Sequence, residues 1–101
     1  MTLPFDDDHA PLYTVGQVAG MLDVQPAFLR RLDVERVVQP ARSEGGQRRY
    51  SREEIALAQH VSHMADAGMS LVGIRRILVL EAEVASLRAE LASLQSAPRP
   101  N

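Results

Sequence analysis

Apolar residues near the start of the chain recur at a spacing that predicts two helices joined by a tight turn. The first helix is predicted over residues 15–22, behind Thr14 as cap and with Gln17 at the capping-box position. Pro26 suits the first turn of a second helix over 26–35, whose apolar side carries Phe28, Leu29 and Leu32. Two helices separated by about three or four residues form a helix-turn-helix pattern.

The segment that follows is typical of a small β-hairpin. Val37 and Val38 favour a strand, and Pro40 stops the preceding helix. The glycine pair at 45–46 permits a tight turn between two short strands. Residues 41–50 are therefore predicted to form a β-wing.

Two further helices are predicted in the second half of the chain. Ser51 and Glu54 form a capping box for the first of them, which ends near Gly68 in a left-handed cap. Ser70 caps the last helix, which nothing but Gly73 could interrupt before residue 95. Its apolar positions step by three and four residues in a heptad pattern, which runs through Ile77, Leu80, Val84, Leu87, Leu91 and Leu94.

This heptad stripe predicts a coiled-coil homodimer, in either orientation, because its distal part lies too far along the helix to reach a core of this size. The alternative is that the stripe folds against the domain's own surface. The predicted fold is mainly α with a small β-wing. It comprises a flexible acidic arm over 1–12, a globular domain over 13–79, a dimerisation helix over 80–95 and a flexible tail over 96–101.

Charge is distributed unevenly along the chain. The net charge is −2, yet residues 27–52 hold seven arginines against three acidic residues. Guanidinium groups bind phosphate through paired hydrogen bonds, so the cluster indicates a nucleic-acid partner. Gln25, Arg31 and Gln47 are candidate contacts by their positions, whereas a solvated role is equally open for Arg36 and Arg52.

Several other functions have little support in the sequence. The absence of cysteine excludes disulfides, thiolate metal sites and cysteine catalysis. His60 and His63 share a helix face but have no third ligand, so neither a metal nor a cofactor is predicted. No nucleophile with a base and no phosphate-cradling loop occurs, so an enzyme is not expected. No apolar run of about 18 residues and no signal peptide is present, so a cytoplasmic protein without membrane contact is expected.

The stretches "YTVGQVAGMLDVQPAFLRRLD" and "VVQPARSEGGQRRYSREEIALAQHVSHMADAGMSLVGIRRIL" resemble the MerR family of bacterial transcription regulators over roughly residues 13–79. The "GIRRIL" run leading into a short coiled coil is similar to the heat-shock repressors of that family. The resemblance implies a winged helix-turn-helix with a further helix pair and a dimerising helix. It also implies a dimer that reads an inverted-repeat operator in double-stranded DNA, in the cytoplasm and at the nucleoid.

The resemblance also implies roles for individual residues. Arg30 lies on the recognition helix, Arg42 begins the wing, and Arg49 and Tyr50 contact phosphate. From the residues alone, Arg48 is a further candidate DNA contact, and Tyr50 could either donate to a phosphate or pack the wing on the core; we predict that Tyr50 contacts DNA. The chain departs from the family at two positions, since the family has an aromatic residue where Leu32 stands and often glycine where Arg36 stands.

A second class of function stays open beside the DNA-binding regulator. Small chaperone modulators also resemble MerR domains, share the "VVxP" segment and a leucine-rich end helix, and bind a J-domain co-chaperone instead of DNA. They lack a "GGxRRY" wing, which this chain has. An intermediate possibility is that the acidic arm or the tail binds a chaperone or RNA polymerase while the wing binds DNA.

Overall fold

The computed structural model describes residues 7–96 and Pro98. Their elements follow the chain in this order: β1 (Tyr13–Thr14), α1 (Val15–Leu22), α2 (Pro26–Val34), β2 (Ala41–Arg42), β3 (Arg48–Tyr50), α3 (Arg52–Asp66) and α4 (Leu71–Ser96). The predicted class, mainly α with a small β-wing, is confirmed.

Local capping chemistry defines the helix starts. Gln17 N donates to Thr14 Oγ1 at 3.1 Å while Thr14 N donates to Gln17 Oε1 at 2.9 Å, which is the predicted capping box of α1. The same reciprocal pair joins Ser51 and Glu54 at the start of α3, at 2.9 and 3.1 Å. Each box satisfies backbone N–H groups that have no partner inside the helix.

The prediction of a strand at Val37 and Val38 is wrong. Both backbone N–H groups donate to the carbonyl oxygen of Leu32, at 2.8 and 3.2 Å, near the end of α2. The last carbonyls of a helix need such partners, and here that need outweighs the strand preference of two β-branched residues. Both side chains are buried in the core, and α2 ends at Val34, one residue earlier than predicted.

Three short strands form one antiparallel sheet in the order β1-β3-β2. Ala41 pairs with Arg49 and Arg42 with Arg48, which gives the predicted wing its hairpin. Strand β1 was not predicted; it adds Tyr13 opposite Tyr50 and Thr14 opposite Arg49, so the wing is tied to the residues just before α1.

The core lies where the helix-turn-helix, the wing and α3 meet. Its fully buried side chains of largest volume are Tyr50, Leu29, Leu32, Ile74, Val18, Val38 and Val61. Helix α4 contributes Ile74 to this core and half-buried residues around it, but every residue from 79 to 96 is exposed. The fold therefore has a packed domain from which about five turns of helix project.

The segment before β1 runs along the start of α3. Glu53 N donates to the Asp8 carbonyl oxygen at 3.1 Å, and Asp8 forms an ion pair with Arg52 at 3.0 Å. Leu12 N donates to the Tyr50 carbonyl oxygen at 3.1 Å. Residues 8–12 thus contact the domain, contrary to the flexible arm predicted over 1–12. Residues 1–6, and all of the predicted tail except Ser96 and Pro98, lie outside the described residues.

Candidate nucleic-acid interface

The exposed face of α2 carries guanidinium groups. Leu29 and Leu32 turn into the core, which leaves Arg30 and Arg31 exposed on the outer side of the helix. Neither arginine has a carboxylate within ion-pair distance in the part of the chain that the structure describes. Gln25 is exposed at the helix N-cap and forms no side-chain cap hydrogen bond, so its amide is also available.

The wing is a hairpin whose tip is held by short hydrogen bonds. Ser43 N donates to the Gln47 carbonyl oxygen at 2.7 Å, and Gly46 N donates to the Ser43 carbonyl oxygen at 2.9 Å. Gly46 has φ +81°, a left-handed conformation that glycine adopts without strain, as the predicted turn requires. The side chain of Gln47 is exposed at this tip.

Alternation along β3 separates its three side chains. Residues 48 and 50 share one face of the strand, and residue 49 lies on the other. Arg48 and Tyr50 accordingly turn inward, while Arg49 has no acidic partner among the described residues and donates only to the Arg48 carbonyl oxygen, at 3.3 Å. Of the arginines on β3, Arg49 is thus the one available to a ligand.

Arg42 and Arg48 are engaged by one carboxylate on α2. Arg48 Nε donates to Asp33 Oδ2 at 2.7 Å, and Arg42 Nη2 donates to the same oxygen at 3.0 Å. The side chains of Asp33 and Arg48 are only 14% and 18% exposed. Arg42 also donates from Nη1 to the Gly46 carbonyl oxygen at 3.1 Å. Two residues predicted to contact DNA therefore hold the wing on α2.

Tyr50 was predicted to contact DNA, but the structure places its side chain in the core, where it packs the wing. Its side chain is fully buried, and its hydroxyl has no hydrogen-bond partner among the described residues. Burial raises the pKa of this phenol; the charges of Asp33 and Glu54 add to that effect, and those of Arg48 and Arg42 oppose it. A phosphate could not reach the hydroxyl in this structure.

Asp33 is the residue of this surface that the sequence did not reveal. It stands nine residues before Arg42 and fifteen before Arg48, so no local spacing connects them. A partial signal did exist, because alternation along β3 places Arg48 on the same face as a core tyrosine. An inward-facing arginine requires a buried acidic partner, and α2 supplies one.

The heptad residues of α4 form an apolar stripe that leads away from this surface. Ile77 is half-buried against the domain, while Leu80, Val84, Leu87, Leu91 and Leu94 are all exposed. Glu81 lies beside the stripe, and its Oε1 is 3.0 Å from His60 Nε2. No cluster of three metal-ligating side chains occurs within residues 7–96.

No helix in the described ranges is long and apolar enough to cross a membrane. The fold and its basic surface together define a winged helix-turn-helix protein. Residues 13–80 match the model of the MerR HTH family of regulatory proteins. The chain belongs to this family, which confirms the resemblance seen in its sequence.

Individual relatives agree with this assignment. HspR of Streptomyces coelicolor, which is named a heat shock protein, is 37% identical over 91 residues, covering 89% of this chain and 60% of that one. The HTH-type transcriptional regulator GlnR of Bacillus anthracis is 24% identical over 76 residues, covering 75% and 59%. The chain therefore spans about 60% of the length of these curated relatives. GlnR is named a transcriptional regulator and the matched family is one of regulatory proteins, in agreement with the prediction of a regulator and not an enzyme.

Solved structures share the fold. A MerR family transcriptional regulator from Bacillus cereus superposes with a TM-score of 0.60 at 22% identity, over 88% of this chain and 87% of that one. HiNmlR, a MerR family regulator lacking the sensor domain and solved bound to promoter DNA, gives a TM-score of 0.59 at 21% identity, over 82% and 79%.

Proposed function

We propose that the protein is a sequence-specific transcription repressor that binds an inverted-repeat operator as a homodimer, in the cytoplasm and at the nucleoid. The repressor role rests on the resemblance to the heat-shock repressors of the family and on the 37% identity to HspR. Membership of a family of DNA-binding regulators supports double-stranded DNA as the ligand.

The observation that carries the proposal is the exposed basic face of α2 beside a half-buried wing arginine that has no acidic partner among the described residues. Arg30 and Arg31 lie on the outer face of α2, and Arg49 lies on the wing that Asp33 ties to that helix. A helix with this exposure can enter the major groove and read base edges. The wing arginine can then bind the neighbouring phosphates, which sets the register without reading sequence.

The remaining predicted contacts divide by their accessibility. Gln25 and Gln47 are exposed at the N-cap of α2 and at the wing tip, where each could donate to a base edge or a phosphate. Arg42 is half exposed, but its guanidinium donates to Asp33 and to the Gly46 carbonyl oxygen, so we assign it to holding the wing on α2. Arg48 and Tyr50 are internal, so we assign them to holding the wing in position.

The homodimer would form through the α4 stripe. An antiparallel pair of α4 helices brings Ile77 against the partner's Leu94, Leu80 against the partner's Leu91, and Val84 against the partner's Leu87. Each of these layers joins an a position to a d position, so all six apolar residues of both chains would be covered. The exposed side chains that form no core contact within one chain would then lie in a common seam.

The test is selection of bound duplexes from a random-sequence DNA pool. The wild-type protein should enrich a single inverted repeat. The double variant Arg30→Ala/Arg31→Ala should lose that sequence preference, because the groove-facing guanidinium groups are gone. The matched control Arg75→Ala/Arg76→Ala removes an adjacent exposed pair from α4 and should select the same motif.

Failure of the wild-type protein to enrich any duplex would contradict DNA binding. It would favour the protein-interaction module, which a pull-down with a J-domain co-chaperone would then examine. If the Arg30/Arg31 variant selected the wild-type motif unchanged, α2 would not be the element that reads the sequence.

A further inference from the structure

We infer that Asp33 is a positioning residue for DNA recognition: its carboxylate fixes the wing to the recognition helix and withholds two arginines from indiscriminate phosphate binding. This inference rests on the proposed DNA-binding function. It assigns Arg42 and Arg48 a role opposite to the one their charge suggests, since both are restrained by the protein instead of being offered to any phosphate.

The first step of the argument is the register of the hairpin. Arg42 on β2 and Arg48 on β3 stand directly opposite each other in the antiparallel pair. Like charges at such positions repel and destabilise the pairing. Asp33 Oδ2 accepts from both, at 3.0 and 2.7 Å, so one negative charge lies between two positive ones. The hairpin thus depends on a residue of α2 for its own electrostatic balance.

The second step carries this restraint to the tip of the wing. Arg42 donates to Asp33 from Nη2 and to the Gly46 carbonyl oxygen from Nη1, at 3.1 Å. One guanidinium therefore connects the recognition helix to the turn that a phosphate backbone would meet. Because Asp33 and Arg48 are largely shielded from solvent, their contact is screened less than a surface pair would be.

The third step is the effect on binding. With Asp33 in place, the spacing between the exposed face of α2 and Arg49 is fixed, so both can engage DNA only in one register. If the carboxylate is neutralised, two guanidinium groups lose their charged partner, and the wing keeps its pairing with β1 but loses its ion pairs to α2. Those groups can bind the phosphates of any sequence, so non-specific affinity should rise while specificity falls.

The variant that tests this is Asp33→Asn, with Glu35→Gln as the matched control. Both substitutions remove one negative charge near the end of α2, but Glu35 is exposed and forms no side-chain hydrogen bond or ion pair among the described residues. Hydrogen–deuterium exchange of the free protein is measured first. We expect amides of residues 41–50 to exchange about tenfold faster in Asp33→Asn, as loss of a buried charged hydrogen bond predicts, and at the wild-type rate in Glu35→Gln.

Binding is measured next, against the duplex selected by the wild-type protein and against a scrambled duplex of equal length, over a range of salt concentrations. For Asp33→Asn we expect the ratio of specific to non-specific affinity to fall roughly tenfold or more. The salt slope on scrambled DNA should steepen by up to about two units, because two phosphate contacts are added. Simple destabilisation would instead weaken both affinities and leave the slope unchanged.

The outcomes separate this inference from the proposed function. Unchanged exchange in the wing of Asp33→Asn overturns the positioning role, whatever the protein binds. Faster exchange with an unchanged specificity ratio overturns its relevance to DNA recognition, as would an equal effect from Glu35→Gln. If the wild-type protein bound no duplex, the proposed function would fail, and the exchange experiment would still decide whether Asp33 holds the wing.

Discussion

The packed domain and the distal part of α4 obtain their stability in opposite ways. Between residues 13 and 78, apolar side chains meet within one core, and the inward-facing charges meet a partner in the same chain. From residue 79 to 96, every side chain is exposed, and the leucines face solvent at heptad spacing. The first region is complete within one chain, whereas the second leaves an apolar surface that we propose a second copy of the chain covers.

This difference assigns separate tasks to the two regions. The domain provides a rigid frame on which α2 and the wing keep a fixed spacing, so it can recognise a ligand by shape. In the proposed dimer, the exposed helix provides an apolar seam that contributes to stability only when two chains associate. A change in the domain should therefore act on each chain alone, and a change in the seam should act through protein concentration.

The largest effect is expected from truncation in the core. Leu32 is completely buried on α2, so Leu32→Ala should lower the free energy of unfolding by about 3–4 kcal/mol through lost burial and a residual cavity. Chemical denaturation at several protein concentrations should show the same loss at each. The matched substitution Leu94→Ala lies at an exposed position of the α4 stripe. It should lower the free energy of unfolding by an amount that depends on protein concentration. If the loss in free energy of unfolding depended on protein concentration in the same way for both variants, the two regions would not differ in how they are stabilised.

A charge in the seam should separate the protomers. Leu87→Glu places a carboxylate where the two helices would meet, and we expect the dimer dissociation constant to rise at least about a hundredfold, because an unpaired charge is costly to bury. Light scattering should then give the mass of one chain, with the thermal unfolding of the domain retained. Ala89→Glu, on the opposite side of α4, should leave the dimer intact. A dimer that survives Leu87→Glu would place the interface elsewhere.

Tyr50 tests whether the inner face of the wing is structural or ligand-binding. Its buried hydroxyl lacks a partner, so Tyr50→Phe should raise the free energy of unfolding by roughly 1 kcal/mol. DNA affinity should not change. If Tyr50→Phe kept its structure but lost much of its DNA affinity, Tyr50 would be a phosphate contact, as the sequence predicted.

The same residue predicts a response to alkaline pH. Burial raises the pKa of Tyr50 above its ordinary value of 10.0, so the folded state keeps the phenol proton at a pH where the unfolded chain has lost it. The stability that this provides is fully present below pH 10 and is lost as the pH rises through the folded-state pKa. Denaturation at a series of alkaline pH values should show a smaller decline in Tyr50→Phe than in the wild-type protein.

The smallest effect is expected at Arg36, two residues after the end of α2. Arg36 has φ +58°, a left-handed conformation that strains residues with a side chain. Arg36→Gly should change the free energy of unfolding by less than about 1 kcal/mol and in the stabilising direction, because relief of strain slightly exceeds the added freedom of the unfolded chain. Differential scanning calorimetry of the two proteins measures this. A clear loss of stability would indicate that the Arg36 side chain contributes a contact.

Features that depend on neighbouring residues could be predicted from the sequence. The two capping boxes, the left-handed Gly46 and Gly68, and the uninterrupted last helix all follow from residues within a few positions of one another. The exposure of the heptad stripe could also be predicted from the sequence. A helix rises about 1.5 Å per residue, so the end of a helix this long extends beyond a small core. These are local constraints that tertiary packing did not overrule.

Features that depend on tertiary placement could not be predicted in this way. Val37 and Val38 favour a strand by propensity, but their N–H groups are taken by the Leu32 carbonyl at the end of α2. Asp33 contacts two arginines far along the chain, and the contact exists only because the wing folds onto α2. The charge of the sequence therefore could not show that Arg42 and Arg48 have an acidic partner within the chain.

The central claim is that α2 and the wing read a symmetric DNA site in a dimer built by α4. Chromatin immunoprecipitation of the tagged protein from its own host tests this most directly, beside the Arg30→Ala/Arg31→Ala variant at equal expression. The account predicts sharp peaks that share an inverted repeat and that disappear in the variant. Absence of enrichment for the wild-type protein, or peaks that persist unchanged in the variant, would contradict it.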